Sequence, residues 1–222
     1  MTPRDLVIYG AGAHGRDLAQ LIDDINTAAP TWRVAGFVTD DRAAHGTTVA
    51  DLPVLGDAGW LDTHPGVALA VAVGHPAAKR RIVLSLASRG AEWPTLVHPS
   101  VFVGRRSTLG PGTTVLPGAI IMTDVVIGPW VTINIGCHLS HDCRVDDFAT
   151  IAPGASLSGY VRVGEGSDIG TGAAIIQGVS VGAWSVVGAG AAVVRDLPPN
   201  CTAVGVPARV IKQREPGWHE RP

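Results

Sequence analysis

The sequence predicts two folds in one chain: an α/β half-unit of Rossmann type with a parallel sheet, followed by a parallel β-helix. Three observations carry this. The chain opens with a strand, a glycine-rich turn and a helix in LVIYGAGAHGRDLAQLI. From Val97 to Val193 every sixth residue is Val, Ile or Leu, at 17 successive positions without a miss. The 28 Gly and 16 Pro, beside 46% hydrophobic and only 16% charged residues, favour many short strands over long helices.

The 222 residues suffice for one large domain or two small ones. A formal charge of -2 gives no reason to expect nucleic acid or an anionic membrane as partner. Three cysteines are an odd number, which argues against a disulfide framework and fits a reducing, cytoplasmic compartment. MTPRDLVIYG reads as a strand entering a turn rather than a signal peptide. No apolar run approaches the roughly 18 residues of a membrane span.

In the first third, Gly10, Gly12 and Gly15 form a G-x-G-x-x-G spacing between strand and helix. Such glycines let backbone N–H groups approach a phosphate at a helix N-terminus; the plainer reading is tight strand–helix packing. The next strand, VAGFVTDD, ends in Asp40 and Asp41, placed to accept a ribose or base hydrogen bond. VALAVAVG is a third, buried strand, and AAKRRIVLSLASRG a helix. A dinucleotide fold needs two such halves, so the region fits one nucleotide.

The six-residue period then takes over. Four residues after each aliphatic position stands a small residue, from Val101 to Ala191, with Leu197 as the exception. Each hexapeptide is one short strand and a corner, and three make a triangular coil. One coil cannot bury its own core, but a stack can, with coils about 4.8 Å apart. The expected boundaries are 1–96 for the α/β domain, 97–197 for the β-helix and 198–222 for a C-terminal tail.

This periodicity sorts the crowded heptapeptide CHLSHDC, Cys137–Cys143, which at first sight suggests a zinc site. Both cysteines fall on small, inward positions and behave as buried hydrophobes. His138 adjoins a corner and reads as a solvated histidine. His141, two residues after Leu139, points outward, and Asp142 beside it is placed to hold one ring nitrogen. One coil later, Gly159 has no side chain to block a bound thioester, and its N–H is a candidate oxyanion donor. Base, orienting group and oxyanion donor converge there.

NIGCHLSHDCRVDDFATIAPGASLSG, the hexapeptide array and VGVPARVI resemble the bacterial sugar O/N-acyltransferases of the left-handed β-helix superfamily. IYGAGAHG followed by FVTDD resembles the nucleotide-sugar-binding domain of the branch that N-acetylates nucleotide-linked 4-amino sugars. Within that branch the similarity is greatest to the GDP-perosamine N-acetyltransferases; UDP-bacillosamine-precursor N-acetyltransferases and sialic acid O-acetyltransferases are near neighbours. The resemblance implies a left-handed coil, a homotrimer, acetyl-CoA as co-substrate, no metal, and a product used in O-antigen and lipopolysaccharide biosynthesis. It implies His141 as general base, Asp142 as its partner and the Gly159 amide as oxyanion donor. Asn134 would lie near the sugar, while Gly12, Ala13 and His14 with Asp40 and Asp41 would contact the nucleotide sugar. Acetyl-CoA would run between subunits past Gly159, Thr171 and Ala189. Several relatives carry a second histidine nine residues after the base; here Thr150 occupies that position, so any contact with the acetyl group would come from its hydroxyl or backbone.

Other readings compete. A metal enzyme of the γ-carbonic-anhydrase type needs three histidines meeting across subunits, and the helix has none after His141. A nicotinamide oxidoreductase needs a full-size glycine-rich unit. A purely structural β-helix leaves the His141–Asp142–Gly159 grouping without a purpose.

Overall fold

The computed structural model describes residues 2–220; Met1, and Arg221 and Pro222 at the end of the expected tail, lie outside the described residues. The chain divides into two compact units. The first takes the chain up to Gly74 with Ala78–Pro99, and the second takes His75–Ala77 with the chain from Ser100 on.

The first unit contains β1 (Arg4–Tyr9), α1 (Ala13–Ala28), β2 (Trp32–Val38), β3 (Thr48–Val49), β4 (Leu52–Gly56) and β5 (Ala68–Val71), its strands in one sheet ordered β3-β4-β2-β1-β5. Leu6, Val7 and Ile8 of β1 are fully buried, which is why the strand reads as a continuous apolar run. Helix α1 buries Leu18, Ala19, Leu21 and Ile22 while Arg16, Asp17, Gln20 and Asp23 stay exposed, the pattern of a helix lying on a sheet. Strand β1 pairs in parallel with β2 on one side and β5 on the other. The strand order therefore reverses at β1, and in open α/β sheets the C-terminal strand ends at such a switch point are where ligands bind.

The expected parallel sheet needs one correction: β3 and β4 form an antiparallel hairpin. Its two-residue turn is Ala50–Asp51, with φ of 48° and 61°. This conformation is usually marked by Asn-Gly or Asp-Gly, so the sequence carried little sign of it.

The second unit is a three-faced β-helix. Face 1 stacks Phe102–Val103, Ile120–Ile121, His138–Leu139, Ser156–Leu157, Ala174–Ile175 and Ala192–Val193. Face 2 runs from Thr108–Leu109 to Ser180–Val181, and face 3 carries Thr114–Val115 to Val186–Val187. Pairs such as Ile121↔Leu139, Ile127↔Val145 and Ile133↔Ile151 lie one coil apart, three hexapeptides along the chain. The aliphatic positions from Val115 to Val193 are no more than 2% exposed. Each contributes about 1.5–3 kcal/mol by burial. Where the small inward residue is polar it is satisfied: the hydroxyls of Thr113, Ser167 and Ser185 donate to the carbonyls of Gly128, Gly182 and Pro198 at 2.8, 2.9 and 2.8 Å.

The ladder runs on past residue 197. Cys201–Val204 pair in parallel with Val186–Val187, and Arg209–Gln213 return antiparallel. VGVPARVI thus spans the turn of a closing hairpin, which has no six-residue period.

Each coil turns through a left-handed residue at its corners. Between faces 1 and 2 these are Arg106, Asp124, Asp142 and Tyr160, with φ of 63°, 62°, 61° and 61°, and then Gly178 at 76°. Between faces 3 and 1 they are all glycine: Gly118, Gly136, Gly154, Gly172 and Gly190.

Candidate active site

The site is built on the corner between faces 1 and 2. Asp142 takes the left-handed turn, which Asp and Asn accept more readily than other non-glycine residues. That turn sends the His141 side chain outward, 49% exposed, with Nδ1 2.9 Å from Asp142 Oδ2. A carboxylate only accepts, so Nδ1 carries the hydrogen and Nε2 keeps its lone pair.

One coil on, a Cβ at Gly159 would stand 2.6 Å from His141 Cε1 and 2.8 Å from Nε2. The space expected for a thioester is taken first by the imidazole, which lies over the Gly159 backbone. Tyr160 closes the other side, its ring edge-on to the imidazole at 5.2 Å between centroids. Its N–H donates to the His141 carbonyl at 3.0 Å, tying the coils together. The Tyr160 contact was missed from sequence; its place one full coil after Asp142 is the signal that identifies it.

Cys137 and Cys143 are fully buried, and their thiols donate to the carbonyls of Ala152 and Ser158 at 3.1 Å. Burial pushes both up to about 11. His138 is exposed on face 1. Among the described residues no group of three or more His, Cys, Asp or Glu is arranged to hold a metal ion.

The remaining helix candidates lie elsewhere on the prism. Asn134, Thr171 and Ala189 line the glycine corner between faces 3 and 1. Asn134 Oδ1 accepts from the Ile135 N–H at 2.8 Å, and Thr171 O accepts from Gly190 N at 2.8 Å, so Thr171 and Ala189 belong to stacked coils. Thr150 is buried on face 3 between Thr132 and Asp168. Asn134, Thr171 and Ala189 thus stand at one corner and His141 at the next, with face 1 between them, while Thr150 lies on face 3 itself.

In the first unit, the glycines of the turn separate by role. Gly10 has φ 106°, and a Cβ on Gly15 would lie 2.1 Å from Gly10 O, so both are required by packing. A Cβ on Gly12, the cap of α1, would meet nothing within 4 Å, and with Ala13 it is exposed at the C-terminal end of β1. His14 is largely buried, with its Nε2 unpartnered, and burial holds it below its ordinary value, favouring the neutral ring. Asp40 Oδ2 accepts from Tyr9 Oη at 2.6 Å. Burial and that carboxylate drive Tyr9 well above its ordinary value, so it remains a donor. Asp41 differs from its neighbour: its carboxylate caps the short turn Arg42–Ala44 by accepting from Ala43 N at 3.0 Å. Tyr9 was also missed, because at the end of LVIY it reads as core.

A nucleotide-type half-unit joined to a hexapeptide β-helix with an exposed His–Asp corner defines a two-domain acyltransferase. A family model described as the PglD N-terminal domain matches residues 5–86. Three solved structures each match 94% of the chain. PerB from Caulobacter crescentus, in complex with CoA and GDP-perosamine, is 34% identical over 97% of its own chain, with a TM-score of 0.86. The acetyltransferase domain of PglB from Neisseria gonorrhoeae FA1090, in complex with acetyl coenzyme A, is 35% identical over 100% of its chain, with a TM-score of 0.85. WeeI from Acinetobacter baumannii AYE is 26% identical over 100% of its chain, with a TM-score of 0.84. None of the curated proteins matches the sequence. The chain belongs to the acetyl-CoA-dependent sugar N-acetyltransferases built on a left-handed β-helix. Among the described residues no helix is long and apolar enough to cross a membrane.

Proposed function

We propose that the protein moves the acetyl group of acetyl-CoA to the 4-amino group of a nucleotide-linked dideoxy sugar, with GDP-perosamine as the leading substrate. The single observation that carries this is the exposed His141–Asp142 pair, 2.9 Å apart, on a chain 34% identical to PerB, whose complex holds CoA and GDP-perosamine. UDP-linked 4-amino sugars and hydroxyl acceptors are the competing substrates.

The amine attacks the thioester carbonyl directly. Nε2 of His141 takes the amine proton, and Asp142 stabilises the imidazolium through Nδ1. The Gly159 N–H donates to the tetrahedral oxyanion. Collapse breaks the C–S bond, forms the amide and returns the proton to the departing thiolate. No acyl-enzyme intervenes: Cys143 is buried and protonated, and Ser140 has no base to activate it.

Residues 1–96 select the nucleotide sugar through Gly12, Ala13, His14 and Asp40, while Asp41 acts by shaping the loop. The β-helix, 97–197, carries transfer, with Asn134 near the sugar. Acetyl-CoA runs along the smooth glycine corner past Thr171 and Ala189, with Thr150 nearby. Since that corner is one full face away from His141, the site is shared between subunits of a homotrimer. Exposed apolar side chains at the two ends of face 1, Phe102, Ile120 and Met122 in the first coils and Ile176 and Val194 in the last, support this.

The experiment is a mass-spectrometric screen of acetyl transfer to GDP- and UDP-linked 4-amino sugars, with light scattering on the same sample. Transfer to GDP-perosamine by a trimer is expected. A fully active monomer would remove the shared site, and acetylated enzyme formed without sugar would remove direct transfer.

A further inference from the structure

The corner between faces 1 and 2 holds more charge than the His141–Asp142 pair. Its left-handed column, read along the stack, is Arg106, Asp124, Asp142, Tyr160 and Gly178, each one coil from the next. Asp124 N donates to Arg105 O at 3.1 Å, and Asp142 N to Thr123 O at 3.2 Å, so the coils stack in direct succession. Two carboxylates thus occupy equivalent positions one coil apart, about 4.8 Å by the ladder spacing. Left alone they would repel each other and place two anions beside one imidazole.

Arg106 prevents this. Its Nε and Nη2 donate to Asp124 Oδ1 and Oδ2 at 2.6 Å each, a two-pronged clamp that uses both oxygens. Asp142 has no such partner and gives its Oδ2 to His141. The clamp holds Asp124 below its ordinary carboxylate range, with a smaller contribution from His141, and Asp142 in turn helps hold Arg106 above its ordinary value. The charges of the column therefore act on one another.

We infer that Arg106 and Asp124 are positioning residues: the guanidinium offsets the Asp124 charge, so that Asp142, and not a pair of carboxylates, dominates the charge and orientation of His141. This rests on the proposed role of His141, but it is a claim about the imidazole and can be read without turnover. The charged or titratable groups that bear on that ring are Asp142 and Tyr160, which touch it, and, from the preceding coils, Asp124 with the Arg106 that clamps it.

The test uses the full-length protein with Arg106→Asn, Asp124→Asn and the double variant. Asparagine tolerates the left-handed backbone that both positions need, and both sites are on the surface. The His141 ring is titrated by NMR, and the pH–rate profile is measured in parallel. In Arg106→Asn the freed Asp124 carboxylate favours the imidazolium, so the ring should titrate roughly 0.3–0.5 of a pH unit higher than in the wild type, by screened Coulomb interaction. In Asp124→Asn the unpaired guanidinium should move it lower. The double variant should return close to the wild-type midpoint. An Arg106→Asn ring that titrates with the wild type, or a double variant that keeps the single variant's displacement, overturns the inference. If the NMR midpoint moves as expected but the acidic limb of the rate profile does not follow, the positioning claim stands and the general-base role of His141 falls.

Discussion

Two corners of the same prism share a backbone and differ in almost everything else. Both place a left-handed residue in every coil. Between faces 3 and 1 that residue is glycine at each of Gly118, Gly136, Gly154, Gly172 and Gly190, which costs no side-chain strain and leaves a bare edge. Between faces 1 and 2 it is Arg106, Asp124, Asp142 and Tyr160 in four successive coils, with glycine only at Gly178 in the next. A non-glycine residue in this conformation costs about 1–2 kcal/mol. The strained corner is thus less stable than a glycine version, and what it gains is a column of polar side chains held at fixed spacing. The bare edge suits a long ligand laid against it; the strained edge suits a proton transfer that needs a base and its partner fixed in place.

The sharpest way to break this contrast is His141→Ala. The kcat should fall roughly 10²–10⁴-fold with a smaller change in KM, the usual contribution of a general base. Near-normal steady-state kinetics would reduce the strained corner to scaffold. Next in size is Gly159→Ala. Its Cβ would sit 2.6 Å from His141 Cε1, so the imidazole must swing away. The kcat should drop roughly 10–100-fold through misplacement alone, and circular dichroism should show an unchanged fold.

Asp142→Asn keeps the left-handed turn and removes the charge. A drop in kcat of about tenfold is expected, within the range of a lost charge-assisted hydrogen bond. The base works as the neutral ring, and without the carboxylate the imidazolium is less favoured. Activity should therefore persist to lower pH, with the acidic limb of the rate profile displaced downward; an unmoved limb would mean that Asp142 does not act through His141. The smallest effect belongs to the other corner. A Cβ on Gly118, with φ 72°, meets nothing closer than 3.8 Å. Gly118→Ala should cost only the left-handed strain, about 1 kcal/mol, read as a few degrees in Tm. A loss as large as that at a packed position would show that the glycine edge is constrained by something besides its backbone.

Much of the helix was legible because one coil position repeats in register. Cys137 and Cys143 could be assigned to the interior, and His141 to the surface, by counting from Leu139. Tyr160 obeys the same arithmetic but needed its ring placed against the imidazole before it meant anything. In the first unit the legible part was the β1–α1 turn. The pairing of Tyr9 with Asp40, and the different use of Asp41, depend on loop geometry that no period records.

The sequence by itself determined the period of six, the inward aliphatic wall and the glycine-rich turn, because backbone repetition and burial are written in local spacing. It also determined the adjacency of His141 and Asp142, which are neighbours in the chain. The tertiary structure alone decided which side chains share a corner and which do not. It set the imidazole over Gly159, clamped Asp124 with Arg106, and left Thr171 and Ala189 a full face away from His141. These outcomes depend on how corners of successive coils stack and on which groups then lie close enough for charge and contact to act, and distance in space is not a property of spacing along the chain.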